Sequence, residues 1–137
     1  MLQPKQQKFR KQQRGRLKGK AKNGVTLDFG DYGLKALEPA WITSRQLEAA
    51  RVVIARHLQN EGRMWLRVFP DKPVTSTPAE TRMGKGKGEI EKYVAPTRPG
   101  RVLFELTGID QERAETALTR AGHKLPIRVK FIKREIL

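Results

Sequence analysis

Cysteine is absent from the 137 residues, so the chain has no disulfide framework and no thiolate metal site. That fits a reducing compartment. No apolar run approaches the ~18–20 residues of a membrane-spanning helix. The start of the chain lacks the apolar block of a secretory signal, and its first 22 residues lack the serines of a mitochondrial-type leader. There are only two histidines, and neither lies at a spacing from carboxylates that suggests a metal site or a catalytic triad. The expectation is a soluble, cytoplasmic-type protein with no catalytic residues, no metal and no cofactor. One further absence matters most: residues 1–22 contain no acid.

What those residues do contain is nine cations: Lys5, Lys8, Arg10, Lys11, Arg14, Arg16, Lys18, Lys20 and Lys22. Beside them stand five glutamines, two glycines and few apolar side chains. Such a stretch cannot bury enough surface to fold alone. Ordering it costs about 1–2 kcal/mol per residue, roughly 20–40 kcal/mol in all. Only a dense polyanion offers enough charge-assisted contacts to offset that. The whole chain agrees, with a net charge of +15, the footprint of a phosphate-binding protein. The segment therefore points to nucleic acid.

The remainder, residues 23–137, reads as one small domain. Residues 25–37 alternate apolar with small or polar side chains, as a half-buried strand does, and Gly30 and Gly33 divide it. Thr43 with Gln46 forms a capping box, Ile42 and Leu47 fit a hydrophobic staple, and Leu47, Ala50, Ile54 and Leu58 follow at helical spacing. This predicts a helix over 44–61, stopped by Gly62. Residues 63–69 read as a strand ended by Pro70. Residues 93–95 and 101–106 read as two more, joined through Pro96, Pro99 and Gly100. Asp110 caps a second helix over 111–121, closed by Gly122. The end alternates Ile127, Val129 and Phe131 against Arg128 and Lys130. The order β-β-α-β-loop-β-β-α-β predicts an α+β fold, a two-layer sandwich with helices packed on a mostly antiparallel sheet.

Residues 71–90 carry no regular pattern, which in a small domain marks a functional or disordered loop. A hairpin arm of ten residues each way could reach ~30 Å. Its tip holds Arg82, Met83, Gly84, Lys85, Gly86, Lys87 and Gly88. Glycine allows close backbone approach, and the cations suit phosphate oxygens. The segment lacks the order of a nucleotide-binding P-loop. Taken alone, a plain solvated loop is as good a reading. His57 and His123 read as packing or helix-end residues, and Trp41 and Trp65 as core or rim packing, with base stacking second. The acids read as scattered among helix faces and turns.

Several phrases are specific. They include the opening Met-Leu-Gln-Pro-Lys, Phe29-Gly-x-x-Gly-Leu-Lys-Ala and Ile42-Thr-x-Arg-Gln-x-Glu-Ala-Ala-Arg51. Trp65-Leu-Arg-Val-Phe-Pro-Asp-Lys-Pro-Val74, Arg82-Met-Gly-Lys-Gly-Lys-Gly88, Pro99-Gly-x-Val-Leu-Phe-Glu and Lys124-Leu-Pro-Ile complete the set. Together they resemble the bacterial-type large-subunit ribosomal protein family L-sixteen, end to end. The resemblance implies a structural role in the ribosome: binding 23S-type rRNA near the peptidyl-transferase centre, beside neighbouring large-subunit proteins. It implies contact with A-site tRNA and, secondarily, P-site tRNA, with the loop at 82–88 as the arm toward them. Residues 1–22 would lie in rRNA, and Arg67 and Lys72 of the block at 65–74 join them as rRNA-binding cations. The resemblance implies no enzyme activity, no small-molecule substrate and no membrane partner. Charge alone also allows a free-standing RNA or DNA chaperone, or a nucleic-acid-compacting protein.

Overall fold

A helix begins where a side chain satisfies its first free N–H groups, and both helices here begin that way. The computed structural model describes residues 24–75 and 90–134. In order these form β1 (Tyr32–Ala36), β2 (Ala40–Thr43), α1 (Ser44–Leu58), β3 (Arg63–Leu66), β4 (Lys72–Thr75), β5 (Ile90–Thr97), β6 (Val102–Thr107), α2 (Gln111–Gly122) and β7 (Val129–Lys133). At α1 the Gln46 N–H donates to the Thr43 hydroxyl at 3.2 Å, and the Thr43 N–H donates to the Gln46 side chain at 2.9 Å. At α2 the Arg113 N–H donates to Asp110 at 2.8 Å. Both caps are those the sequence predicts.

The helix ends differ from expectation. α1 stops because Gln59 and Asn60 turn into the left-handed region, with φ 48° and 66°. Gly62 is not that turn. A Cβ there would lie 2.5 Å from the Thr107 carbonyl, so Gly62 lets the chain pass tightly under the end of β6. Gly122 likewise serves packing: it is the last residue of α2, and a Cβ would meet the Val129 side chain at 2.5 Å.

The strands form two antiparallel sheets, of order β3-β6-β1-β7 and β2-β5-β4, where the sequence suggested one. In the first, Leu34 lies opposite both Phe104 and Phe131, and Leu66 also faces Phe104. These residues share one face, since side chains alternate along a strand. Leu47, Ala50, Ile54 and Leu58 of α1 and Ala114, Ala117, Leu118 and Ala121 of α2 pack onto it in one core. The alanines of α2 let it approach α1 and the sheet closely. Ile42 and Ala95 carry the same core into the second sheet. The architecture is α+β, as the element pattern predicts.

Three boundaries move. Residues 25–31 form no strand; β1 begins at Tyr32. Strand β3 ends at Leu66, short of Phe69. Pro96 lies inside β5, opposite Trp41, so the turn before β6 falls after Thr97.

Candidate nucleic-acid interface

The first described residues, 24–31, cross the face of the first sheet opposite the helices. Trp65 of β3 and Gly33 of β1 both lie opposite Glu105 of β6, so these three share that face. Glu105 is completely buried. One of its carboxylate oxygens accepts from the Phe29 and Gly30 N–H groups, both at 2.9 Å, and the other pairs with the Arg67 guanidinium. Arg67 also reaches Asp28 at 2.9 Å and the Thr26 carbonyl at 3.3 Å. A carboxylate in an apolar strand is costly unless its charge and lone pairs are answered. Here the answer comes from the crossing segment and from the residue just beyond β3.

Further bonds pin both ends of the crossing. The Asp31 N–H donates to the Leu106 carbonyl at 2.8 Å, and the Arg134 N–H to the Asp31 carbonyl at 2.8 Å. At the other end the Val102 N–H donates to the Gly24 carbonyl at 2.7 Å. Gly24 has φ +67°, and a Cβ there would sit 2.6 Å from the Arg101 guanidinium carbon. The left-handed backbone at this point favours glycine. The cationic segment 1–22 is thus joined to the fold through a fixed point, with residues 24–31 held against β6.

Arg67 is 13% exposed. Burial alone pulls its pKa down, but the hydrogen bonds and charges of Glu105 and then Asp28 outweigh that and hold it above the ordinary arginine value. Among the cations that the resemblance assigns to rRNA, Arg67 here braces the crossing segment.

The long loop has a built base. β4 and β5 pair antiparallel, Lys72 opposite Val94 and Thr75 opposite Ile90, so the chain enters and leaves 76–89 side by side. Lys72–Thr75 and Ile90, expected to be irregular, are therefore strand. Pro73, Val74 and Val94 are buried in this hairpin. Lys72 stands over the Trp41 ring of β2, with its ammonium 4.4 Å from the centroid. This is cation–π geometry across the second sheet.

Lys5, Lys8, Arg10, Lys11, Arg14, Arg16, Lys18, Lys20 and Lys22 lie outside the described residues, as do Arg82, Met83, Gly84, Lys85, Gly86, Lys87 and Gly88. The structure gives the footings of both segments. Among the described residues no cluster of His, Asp and Glu could hold a metal ion, and no helix is long and apolar enough to cross a membrane. His57 makes a 2.9 Å bond to the Val53 carbonyl of its own helix, and His123 sits at the end of α2.

Two groups escaped the sequence reading. Composition places Glu105 among scattered acids, although a charge inside Val-Leu-Phe-Glu-Leu demands a partner. Phe29, which the alternation over 25–37 places in a strand, stacks on Trp65 with centroids 5.9 Å apart.

The family described as ribosomal protein L16p/L10e matches residues 4–132. The large ribosomal subunit protein uL16 of Heliobacterium modesticaldum is 57% identical over 135 residues, covering 98% of this chain and 94% of its own. That of Thermus thermophilus is 58% identical over 135 residues, covering 98% and 96%. Likeness at this level, spanning the crossing segment, the hairpin and both cationic stretches, shows that the chain belongs to the ribosomal protein L16p/L10e family.

Proposed function

We propose that this chain is a structural, non-enzymatic component of the large ribosomal subunit, acting in the ribosome in the cytoplasm. It binds 23S-type rRNA near the peptidyl-transferase centre, beside neighbouring large-subunit proteins. Residues 1–22 form an RNA-binding extension. Residues 23–137 form one domain whose loop, within 71–90, reaches toward A-site tRNA and secondarily P-site tRNA. The observation that carries this reading is the family match over residues 4–132, combined with nine cations and no acid in residues 1–22.

The division of labour follows from the footings. The cations of residues 1–22 are free of acidic neighbours in sequence and suit phosphate oxygens, whose contacts position without reading bases. Glu105 and Arg67 fix where that extension leaves the fold. The β4–β5 hairpin, braced by Lys72 on Trp41, fixes where Arg82, Lys85 and Lys87 leave it. Glycines 84, 86 and 88 let the loop backbone approach RNA closely.

Replacing Lys85 and Lys87 together by alanine tests the loop. Large subunits carrying the double variant should bind A-site tRNA more weakly, by roughly tenfold, which corresponds to about 1.4 kcal/mol. The isolated variant should unfold at the parent's urea midpoint. Unchanged tRNA affinity in correctly assembled subunits would contradict the loop's assignment.

A further inference from the structure

We propose that the Phe29–Trp65 stack is the seat of one unpaired base of single-stranded RNA, a contact that rests on the RNA-binding role above and gives it a specific site. Phe29 leaves 57% of its surface exposed, an unfavourable state for a large apolar ring. It is nevertheless held in place. Its N–H is bonded to buried Glu105, and its ring lies 24° from parallel to the Trp65 ring. A cation closes each end of the pair: the Arg63 guanidinium carbon is 5.6 Å from the Trp65 centroid, and that of Arg67 is 5.2 Å from the Phe29 centroid.

The arrangement fits a base and its adjoining phosphate. Every base offers a π-face to an aromatic platform, and guanidinium planes stack on bases as well. Arg67 is already committed to Glu105 and Asp28. Arg63 is exposed, lies on the edge strand β3 and forms no ion pair with the other described residues. The base takes the place of the exposed Arg63 guanidinium over Trp65, and the displaced guanidinium meets the phosphate. Glu105 and Arg67 hold the platform rigid beforehand, so little ordering is left for binding to bring about. Residues 1–22 join this same crossing segment, so their cations supply long-range attraction while the stack selects unpaired RNA over duplex.

The test uses the full-length chain with Trp41→Phe, leaving Trp65 as the sole indole. It is titrated at about 150 mM salt with oligoadenylate and with a duplex RNA of equal phosphate number. Oligoadenylate should quench Trp65 emission and the duplex should not. Phe29→Ala should weaken oligoadenylate binding roughly 5- to 100-fold and duplex binding less than about twofold. Circular dichroism of this variant should match the parent. Equal quenching by both RNAs, or an unselective Phe29→Ala effect, overturns the seat. So does quenching by an acidic peptide to the same extent as by oligoadenylate, which would mark a protein contact. RNA binding without any Trp65 response refutes the seat and leaves the proposed function standing; binding to neither RNA refutes both.

Discussion

Glu105 shows how one buried side chain sets the geometry of a neighbouring segment. Its two oxygens answer Phe29, Gly30 and Arg67, so three stretches of chain meet on one carboxylate. Removing one partner of such a pair leaves a buried charge exposed to an apolar setting, which costs more than the pair's net worth. Arg67→Met should therefore lower unfolding free energy by about 3–5 kcal/mol, read as a shift of the urea midpoint. Adding Glu105→Gln should recover most of that loss, because the amide oxygen still accepts from the two N–H groups and no charge remains. Additive losses in the double variant would contradict this account. The sequence hid the role of Glu105 because its partners lie 38 and about 75 positions away.

The two helices were the most legible elements, since a capping box and an apolar stripe are set by residues three and four apart. Thr43→Ala removes the box, and thermal unfolding should show a loss of about 1 kcal/mol. A loss below about 0.3 kcal/mol would mean that tertiary packing alone fixes the start of α1. The strands were less legible. Residues 25–31 alternate like a strand, but the pattern arises because Leu27 packs over Gly33 while the chain crosses the sheet. β4 has only four residues, one of them proline, and it exists through pairing with β5 across fourteen intervening positions. Proline is tolerated there because β4 is an edge strand. The split into two sheets had no local signal, since it depends on which edges meet after folding. The cations of residues 1–22 and the glycine-lysine loop were visible directly as composition, whereas the footings that hold them depend on long-range contacts.

With a net charge of +15, the chain as a whole attracts polyanions before any specific contact forms. Six to ten phosphate contacts should cost roughly 10³–10⁵ in affinity between 50 and 200 mM salt, on the scale known for DNA. A profile flat in salt would exclude electrostatic anchoring. Strong salt dependence alone does not separate a ribosomal component from a free chaperone or a DNA-compacting protein. Position in the cell's particles does. The most direct measurement is sucrose-gradient sedimentation of a cell lysate at about 150 mM salt, with immunodetection of this chain after DNase treatment. The account predicts that the chain migrates with the large ribosomal subunit and its assembled ribosomes. Its appearance among slow-sedimenting free complexes, or its loss from the heavy fractions once DNA is digested, would contradict it.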